Sequence, residues 1–210
     1  MPSSTQVNRP TTTAAKHVLQ ALLEGAAGGP LPHWDQVASA IRERRFRPGE
    51  TVFMQDVAHP CVYGVRLGLL KLGYLGADGN EWIKSFVHEG GFFASIAALQ
   101  PQGKTTFQAT TLEPTVVEQV DYRLMAELAQ AHLAWSRALH QLTLAFAARK
   151  EQRERELLTL TPEPRYLAFR AAHPDLERRI AQKDLARHLG LTPVGLNRIV
   201  VRLRRAAGLE

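Results

Sequence analysis

Asn197 and Arg198, side by side in "TPVGLNRIVVRLRR", are the residue types with which proteins read the edges of DNA bases. A guanidinium can donate two parallel hydrogen bonds to guanine, and a carboxamide can pair with adenine. Val194 offers an apolar contact for a thymine methyl. At helical spacing Val194, Gly195, Asn197, Arg198 and Val201 share the outward side. Thr192, Arg202, Arg204 and Arg205 suit phosphate oxygens, which position a protein on a duplex without specifying its sequence. The plainer alternative for each arginine is a solvated surface charge.

A second stretch, "GGFFASIAALQPQGKTTF" (90–107), has the makings of an anion cradle. Glycine-rich turns that feed helix N-termini leave backbone N–H groups free to meet an anion. His59 and Cys61 in "AHPC" could offer a metal or haem ligand pair, although a buried thiol beside a surface ring is the commoner meaning of such a pair. The other histidines show no metal spacing. The chain has no serine-nucleophile elbow, phosphate-loop lysine motif or paired zinc ligands, so an enzyme is not expected.

These residues belong to a chain of 210 residues, 45% hydrophobic and 22% charged, in the range of a globular protein with one large or two small domains. No apolar run approaches the ~20 residues of a membrane span. The polar N-terminus lacks the apolar core of a secretory signal and reads as a tail. One cysteine favours a reducing cytoplasm and excludes a four-cysteine iron–sulfur cluster built by one chain. Charge is unevenly spread. Residues 1–148 carry 12 basic and 12 acidic residues; residues 149–210 carry 14 and 8, the whole net +6. A neutral front and a basic back suggest two modules, the second facing a polyanion.

The elements that position the candidates follow from periodicity. A helix from His17 to Leu23 is expected to break at "EGAAGGPLP". Trp34, Val37, Ala38 and Ile41 predict an amphipathic helix within "PHWDQVASAIRERRF". From about Phe46 to Val120, short β-rich runs alternate with Pro-Gly, Asp-Gly and Gly-Gly turns, the pattern of an antiparallel sandwich or roll. Asp121 is a good N-cap, and the absence of Gly and Pro up to Leu160 predicts one long helix. Leu128, Ala131, Trp135, Ala138, Leu142, Ala145 and Arg149 repeat at spacings of three and four, with Leu139 and Phe146 beside them. Such a seam suits a two-helix dimer interface; the alternative is packing on its own domain. "TLTPEP" marks a boundary.

In "IAQKDLARHLGLTPVGLNRIVVRLRRAAGLE", Leu185, Ala186 and Leu189 predict the inner face of a short helix, Gly190 its end, and Thr192-Pro193 the start of a second. Leu196, Ile199, Val200 and Leu203 face inward on that second helix. Ala186 is small because two steeply crossing helices leave no room. Together these predict a helix-turn-helix.

The order of β-roll, long seamed helix and terminal helix-turn-helix resembles the CRP/FNR family of bacterial transcription regulators. The similarity is strong in "PRYLAFRAAHPDLERRIAQKDLARHLGLTPVGLNRIVVRLR" and looser in "RPGETVF" and "DGNEW". It implies an α+β protein: a tail and short helix (1–30), an antiparallel, jelly-roll-like sensor β-roll (31–131), a dimerisation helix (132–160) and a helix-turn-helix domain (161–210). It implies a cytoplasmic homodimer that binds a palindromic DNA site and contacts RNA polymerase. Leu128, Trp135, Leu139, Leu142 and Phe146 are its expected dimer seam. Family members usually continue past the "AGLE" position into a β wing, and the helix-turn-helix domain of this chain is expected to lack its full wing. A signalling or assembly module without productive DNA binding is the alternative.

In cyclic-nucleotide binders of the family, a Gly-Glu-Leu segment is followed ten residues after the Glu by Arg and Ser or Thr. The pattern places Ala94 at the glycine, Ser95 at the glutamate, Thr105 at the arginine and Thr106 after it. Both charge-recognising residues are thus replaced, and Lys104 has no forked guanidinium to substitute. The pocket of Ser95, Lys104, Thr105 and Thr106 is expected to be degenerate, with cyclic AMP and an iron–sulfur cluster not expected, haem left open and the effector unknown.

Overall fold

The computed structural model describes residues 16–206 and Gly208; the N-terminal tail predicted above and most of "AGLE" lie outside the described residues. Helix α1 (Val18–Ala27) opens the described chain. Its first turn is held by Glu118, which is fully buried and accepts from Val18 N–H (3.1 Å) and Leu19 N–H (3.0 Å), with His17 Nδ1 at 3.0 Å. A carboxylate there satisfies two donors that the helix itself cannot. The glycine-rich run does not break α1 at Leu23. Leu19, Leu23 and Ala27 are buried along one face, and their burial outweighs the helix cost of Gly25.

Helix α2 (Trp34–Ala40) stops before "RERRF", which is strand β1 (Arg42–Phe46) and not helix. All five residues of β1 pair antiparallel with β8 (Thr115–Asp121), and this ladder overrides the local helical period. As an outer strand, β1 carries its charges in solvent, a common defence of a sheet edge. The roll therefore begins four residues before the predicted Phe46.

The other strands are β2 (Thr51–Phe53), β3 (Cys61–Leu67), β4 (Leu70–Leu75), β5 (Glu81–Val87), β6 (Phe92–Phe93) and β7 (Gln108–Thr111). They form two four-stranded sheets, β1-β8-β3-β6 and β2-β7-β4-β5, in which every pairing is antiparallel. Phe53, Tyr63, Leu72, Phe93, Phe107 and Val117 fill the space between them. The α+β class and its antiparallel roll are as the sequence predicts.

Asp121 caps α3 (Tyr122–Ala131) by accepting from Arg123 N–H at 2.9 Å. The predicted single helix is broken at His132, whose φ of −135° and ψ of 119° are extended. Helix α4 (Leu133–Thr159) starts anew, and the break lets Trp135 turn into the chain's own core. Its ring stacks on Trp34 at 6.1 Å, and its Nε1–H donates to Pro32 O at 2.8 Å. Leu128, Trp135 and Ala138 are all buried there with α1 and α2, and Leu139 and Leu142 lean on the same cluster. The upper part of the expected dimer seam is thus intrachain packing. Phe146 is half-buried farther along α4.

Helices α5 (Pro162–Ala172), α6 (Gln182–Leu189) and α7 (Pro193–Ala206) share a third core around Tyr166, Leu185, Ala186 and Leu196. Leu69, from the β3–β4 turn, is fully buried in that core, with Phe86 of β5 packed against it. The terminal helices are docked on the roll.

Candidate nucleic-acid interface and sensor site

Helix α6 ends at Gly190, in the left-handed conformation at φ 69°, which a side chain would strain. Thr192 then caps α7, its Oγ1 accepting from Gly195 N–H at 3.0 Å, and Pro193 occupies the first helical position. Ala186 has no exposed surface and sits with Leu196, also fully enclosed, where α6 and α7 cross. Two arginines hold the C-terminal end of α6 from outside. Arg153 of α4 donates to His188 O, and Arg165 of α5 donates to Leu189 O at 2.5 Å. These groups occupy carbonyls that a helix end leaves free.

The helix-turn-helix leaves one face of α7 uncovered. Val194 is 61% exposed; Asn197, Arg198 and Val201 lie on the same side, and all three are exposed. Neither the Asn197 nor the Arg198 side chain makes a hydrogen bond or ion pair among the described residues. Thr192, Arg204 and Arg205 flank that face and are exposed. Arg202 is engaged within the chain, by an ion pair to Glu163 at the start of α5.

The reverse side of this unit is fastened to the roll. Arg179 donates to Glu89 (2.9 and 3.0 Å) and to Glu113 (2.6 and 3.0 Å), a double fork. Burial pushes the Glu89 carboxyl up, but the Arg179 fork and the N–H of Gly68 outweigh it and hold it at about 2. Lys71 of β4 lies 2.7 Å from Glu81 and 3.5 Å from the buried Asp184 of α6, and Arg187 donates to Glu81 at 2.8 Å. His188 is buried between Phe86 and Phe169, with Nδ1 3.2 Å from Ile83 O. Burial, then the nearby Arg153, pushes its imidazole down to about 3, so the ring is neutral. Sequence reasoning missed these contacts. The available signal was that Asp184, Leu185, His188 and Leu189 share one helical side, a wider buried face than a helix-turn-helix alone requires.

Of the four residues expected to form a degenerate pocket, two, Ser95 and Thr105, face inward. Ser95 is buried and its Oγ accepts from Thr106 N–H at 3.1 Å. Thr105 is buried too; its hydroxyl donates to Met54 O at 2.6 Å and accepts from Val57 N–H at 3.1 Å, fastening the loop after β2. Thr106 and Lys104 are exposed. Gly103 closes the loop so tightly that a Cβ there would lie 1.8 Å from Ala97 O. Ser95 and Thr105 thus hold neighbouring loops together with neutral hydroxyls.

His59 and Cys61 each have protein partners: His59 Nε2 meets the Tyr63 hydroxyl, and Gln119 donates to Cys61 Sγ at 3.3 Å. Burial lowers the imidazole and raises the thiol. Among the described residues no group of three or more His, Cys, Asp or Glu is arranged to hold a metal ion. No helix among them is long and apolar enough to cross a membrane.

Residues 43–132 match the cyclic nucleotide-binding domain. The transcriptional regulatory protein btr of Bordetella pertussis is 24% identical over 190 residues, covering 85% of this chain and 78% of that protein. Among solved structures, FixK2 from Bradyrhizobium japonicum is similar with a TM-score of 0.70 at 21% identity, over 80% of this chain and 86% of that one. A CooA mutant from Carboxydothermus hydrogenoformans has a TM-score of 0.68 at 15% identity, over 91% and 86%. The global regulator CLP of Xanthomonas campestris, described as responsive to c-di-GMP, has a TM-score of 0.67 at 15% identity, over 83% and 91%. Two of these similar proteins are regulators by their descriptions, btr a transcriptional regulatory protein and CLP a global regulator.

Proposed function

In a chain with a cyclic nucleotide-binding domain and the fold of the CRP/FNR transcription regulators, we propose that α7 reads a palindromic DNA site on behalf of a homodimer. The observation that carries this reading is the bare face of α7. Asn197 and Arg198 are held rigid on a capped helix, exposed and without intrachain partners, beside an arginine-rich end. Arg198 and Asn197 face base edges and Val194 a thymine methyl, while Thr192, Arg202, Arg204 and Arg205 approach phosphates. For Arg202 this requires exchanging Glu163 for a phosphate.

The boundaries near residues 31, 132 and 161 then separate sensor, dimerisation helix and reading head. Two copies would meet along α4, through Leu139, Leu142 and Phe146 with the exposed Leu144, since Leu128 and Trp135 are closed into their own core. Contact with RNA polymerase completes the regulator role. Cyclic AMP is not its signal through the usual contacts, because Ser95 and Thr105 carry no charge and their hydroxyls serve neighbouring loops.

The test is binding of the full chain to a pool of palindromic duplexes, followed by anisotropy titration at several salt concentrations. Affinity should fall steeply with salt, and Arg198→Ala should cost about 1–3 kcal/mol with relaxed preference at one base position. Duplex binding that is indifferent to both Arg198→Ala and Asn197→Ala would remove α7 as the reading helix.

A further inference from the structure

The ion pair between Arg202 and Glu163 stands at the edge of the bare face of α7. Successive residues of a helix turn by about 100°, so Arg202 lies about 40° around α7 from Arg198. On its other side runs the stripe of Gly195 and Ile199, which with Pro162, Pro164 and Leu191 lines a groove between α7 and the start of α5. Arg202 therefore has a bare arginine on one side and a carboxylate on the other.

Glu163 is placed by its neighbours. It is the second residue of α5, between Pro162 and Pro164, whose rings fix the backbone on both sides. An acid in a first turn is ordinarily explained by the helix dipole, and an exposed ion pair adds little to folding. Neither accounts for the choice of partner. Helix α7 carries four arginines and no acid, so the carboxylate that neutralises Arg202 is supplied by another helix. The Glu163 side chain is 33% exposed and that of Arg202 66%, so an anion in solution can reach the pair.

A carboxylate and a phosphodiester offer a guanidinium the same thing, two anionic oxygens that accept in parallel. An arginine that holds one must release it to take the other, so its phosphate contact is offset by the pair it breaks. The displaced carboxylate then stays beside the phosphate as a like charge, which opposes binding. Lys71, Arg179 and Arg187 also pair with carboxylates, but on the side of the unit that faces the roll. Glu163 alone of these acids borders the bare face of α7.

We propose that Glu163 stands in for a DNA phosphate in the free chain and lowers the affinity of α7 for any duplex, a role that rests on α7 being the reading helix. It holds Arg202 extended across the groove, and a phosphate takes its place on binding. Phosphate contacts carry no sequence information, so the effect is the same on target and unrelated DNA. With that sequence-independent part reduced, what remains depends more on the base contacts of Asn197 and Arg198. Glu163 sets affinity without touching a base.

The experiment is anisotropy titration of the full chain at several salt concentrations, with a selected palindromic duplex and an unrelated duplex of equal length. Glu163→Gln, which keeps the side chain's size, should bind both duplexes roughly threefold to tenfold more tightly than the wild type. Its affinity should also fall more steeply with salt, by about one further phosphate contact. Arg202→Gln should cost at least about threefold more affinity in the Glu163→Gln background than in the wild type, because only there does the arginine give its full contact. Melting of the unbound variants should barely differ from the wild type. Equal costs of Arg202→Gln in the two backgrounds would make Glu163 a plain charge near DNA and overturn the exchange. Wild-type duplex binding that Glu163→Gln leaves unchanged overturns the proposal and spares the reading helix. If neither the wild type nor Glu163→Gln binds any duplex, both fall together.

Discussion

His188 Nδ1 stands 3.2 Å from the carbonyl oxygen of Ile83, tying α6 to β5. A carbonyl only accepts, so Nδ1 carries the proton of a neutral imidazole. The charged groups acting on the ring are Arg153 of α4 and His173 at the end of α5, both of which disfavour its protonation.

The folded ring titrates at about 3, below the ordinary 6.5, so the unfolded chain takes up the proton first as pH falls. The stabilisation is therefore complete above 6.5 and lost as pH drops toward 3. Urea unfolding at pH 7.5 and 5.0 should show a loss approaching ~1.4 kcal/mol per pH unit below 6.5. His188→Gln, which keeps a donor for Ile83 O, should be less stable at pH 7.5 but show a shallower decline.

Replacing Arg179 by alanine would leave Glu89 and Glu113 facing each other without their shared cation. Both carboxylates are partly exposed, so the cost after solvent screening is about 1 kcal/mol. Hydrogen exchange should reveal it as faster opening at the α6–β5 contact, with the two sheets of the roll unchanged. Arg179→Lys should restore only part of the protection, since an ammonium cannot form the double fork. Glu89, held at about 2, contributes its share above pH 4.5 and loses it between 4.5 and 2.

Trp135→Ala should destabilise the chain by about 3–5 kcal/mol, the cost of emptying a fully enclosed aromatic site. Trp135→Phe keeps a ring against Trp34 but orphans the Pro32 carbonyl, for roughly 1–3 kcal/mol. A seam that faced only a partner copy would predict a change in dimer dissociation instead. Sedimentation alongside urea unfolding separates the two.

Thr105→Val, nearly the same size, should cost about 1–3 kcal/mol because it orphans Met54 O and Val57 N–H. Thr106→Val should be close to neutral, since its side chain is exposed. Equal effects at the two positions, measured by thermal unfolding, would contradict the inward-facing role of Thr105.

Local chemistry explains which elements were legible in the sequence. Gly190, Thr192 and Pro193 each signal a helix end through their own backbone preferences, and Asp121 does the same at the start of α3. Failures came where a distant partner decides. Arg42–Phe46 follows a helical stretch but is captured by β8, its pairs running from Phe46 with Thr115 to Arg42 with Gln119, about 69 to 77 residues apart. The break at His132 has no Gly or Pro to announce it, because it is made by Trp135 finding Trp34 and Pro32 a hundred residues upstream. At the candidate sites, Asn197 and Arg198 could be singled out because exposure on α7 follows from its buried side. The contacts of Asp184, His188 and Arg179 depend on the roll, which no local pattern in α6 describes. The direction of Lys84 was invisible for the same reason, being set by a pairing between two strands: Leu72 pairs with Ser85 and Gly73 with Ile83, leaving Lys84 unmatched in the ladder and turned onto Phe107.

The unmatched residue in β5 gives length an uncommon weight here. Removing one residue between Ser85 and Ile83 would restore regular alternation and turn one end of the strand over. Either Glu81 would lose Arg187 or Phe86 would lose His188. An insertion or deletion in this strand is therefore a change of handedness for its side chains, felt at α6 and at Phe107 alike. Related chains aligned by matching residue to residue through β5 must keep that extra position to be compared at either surface.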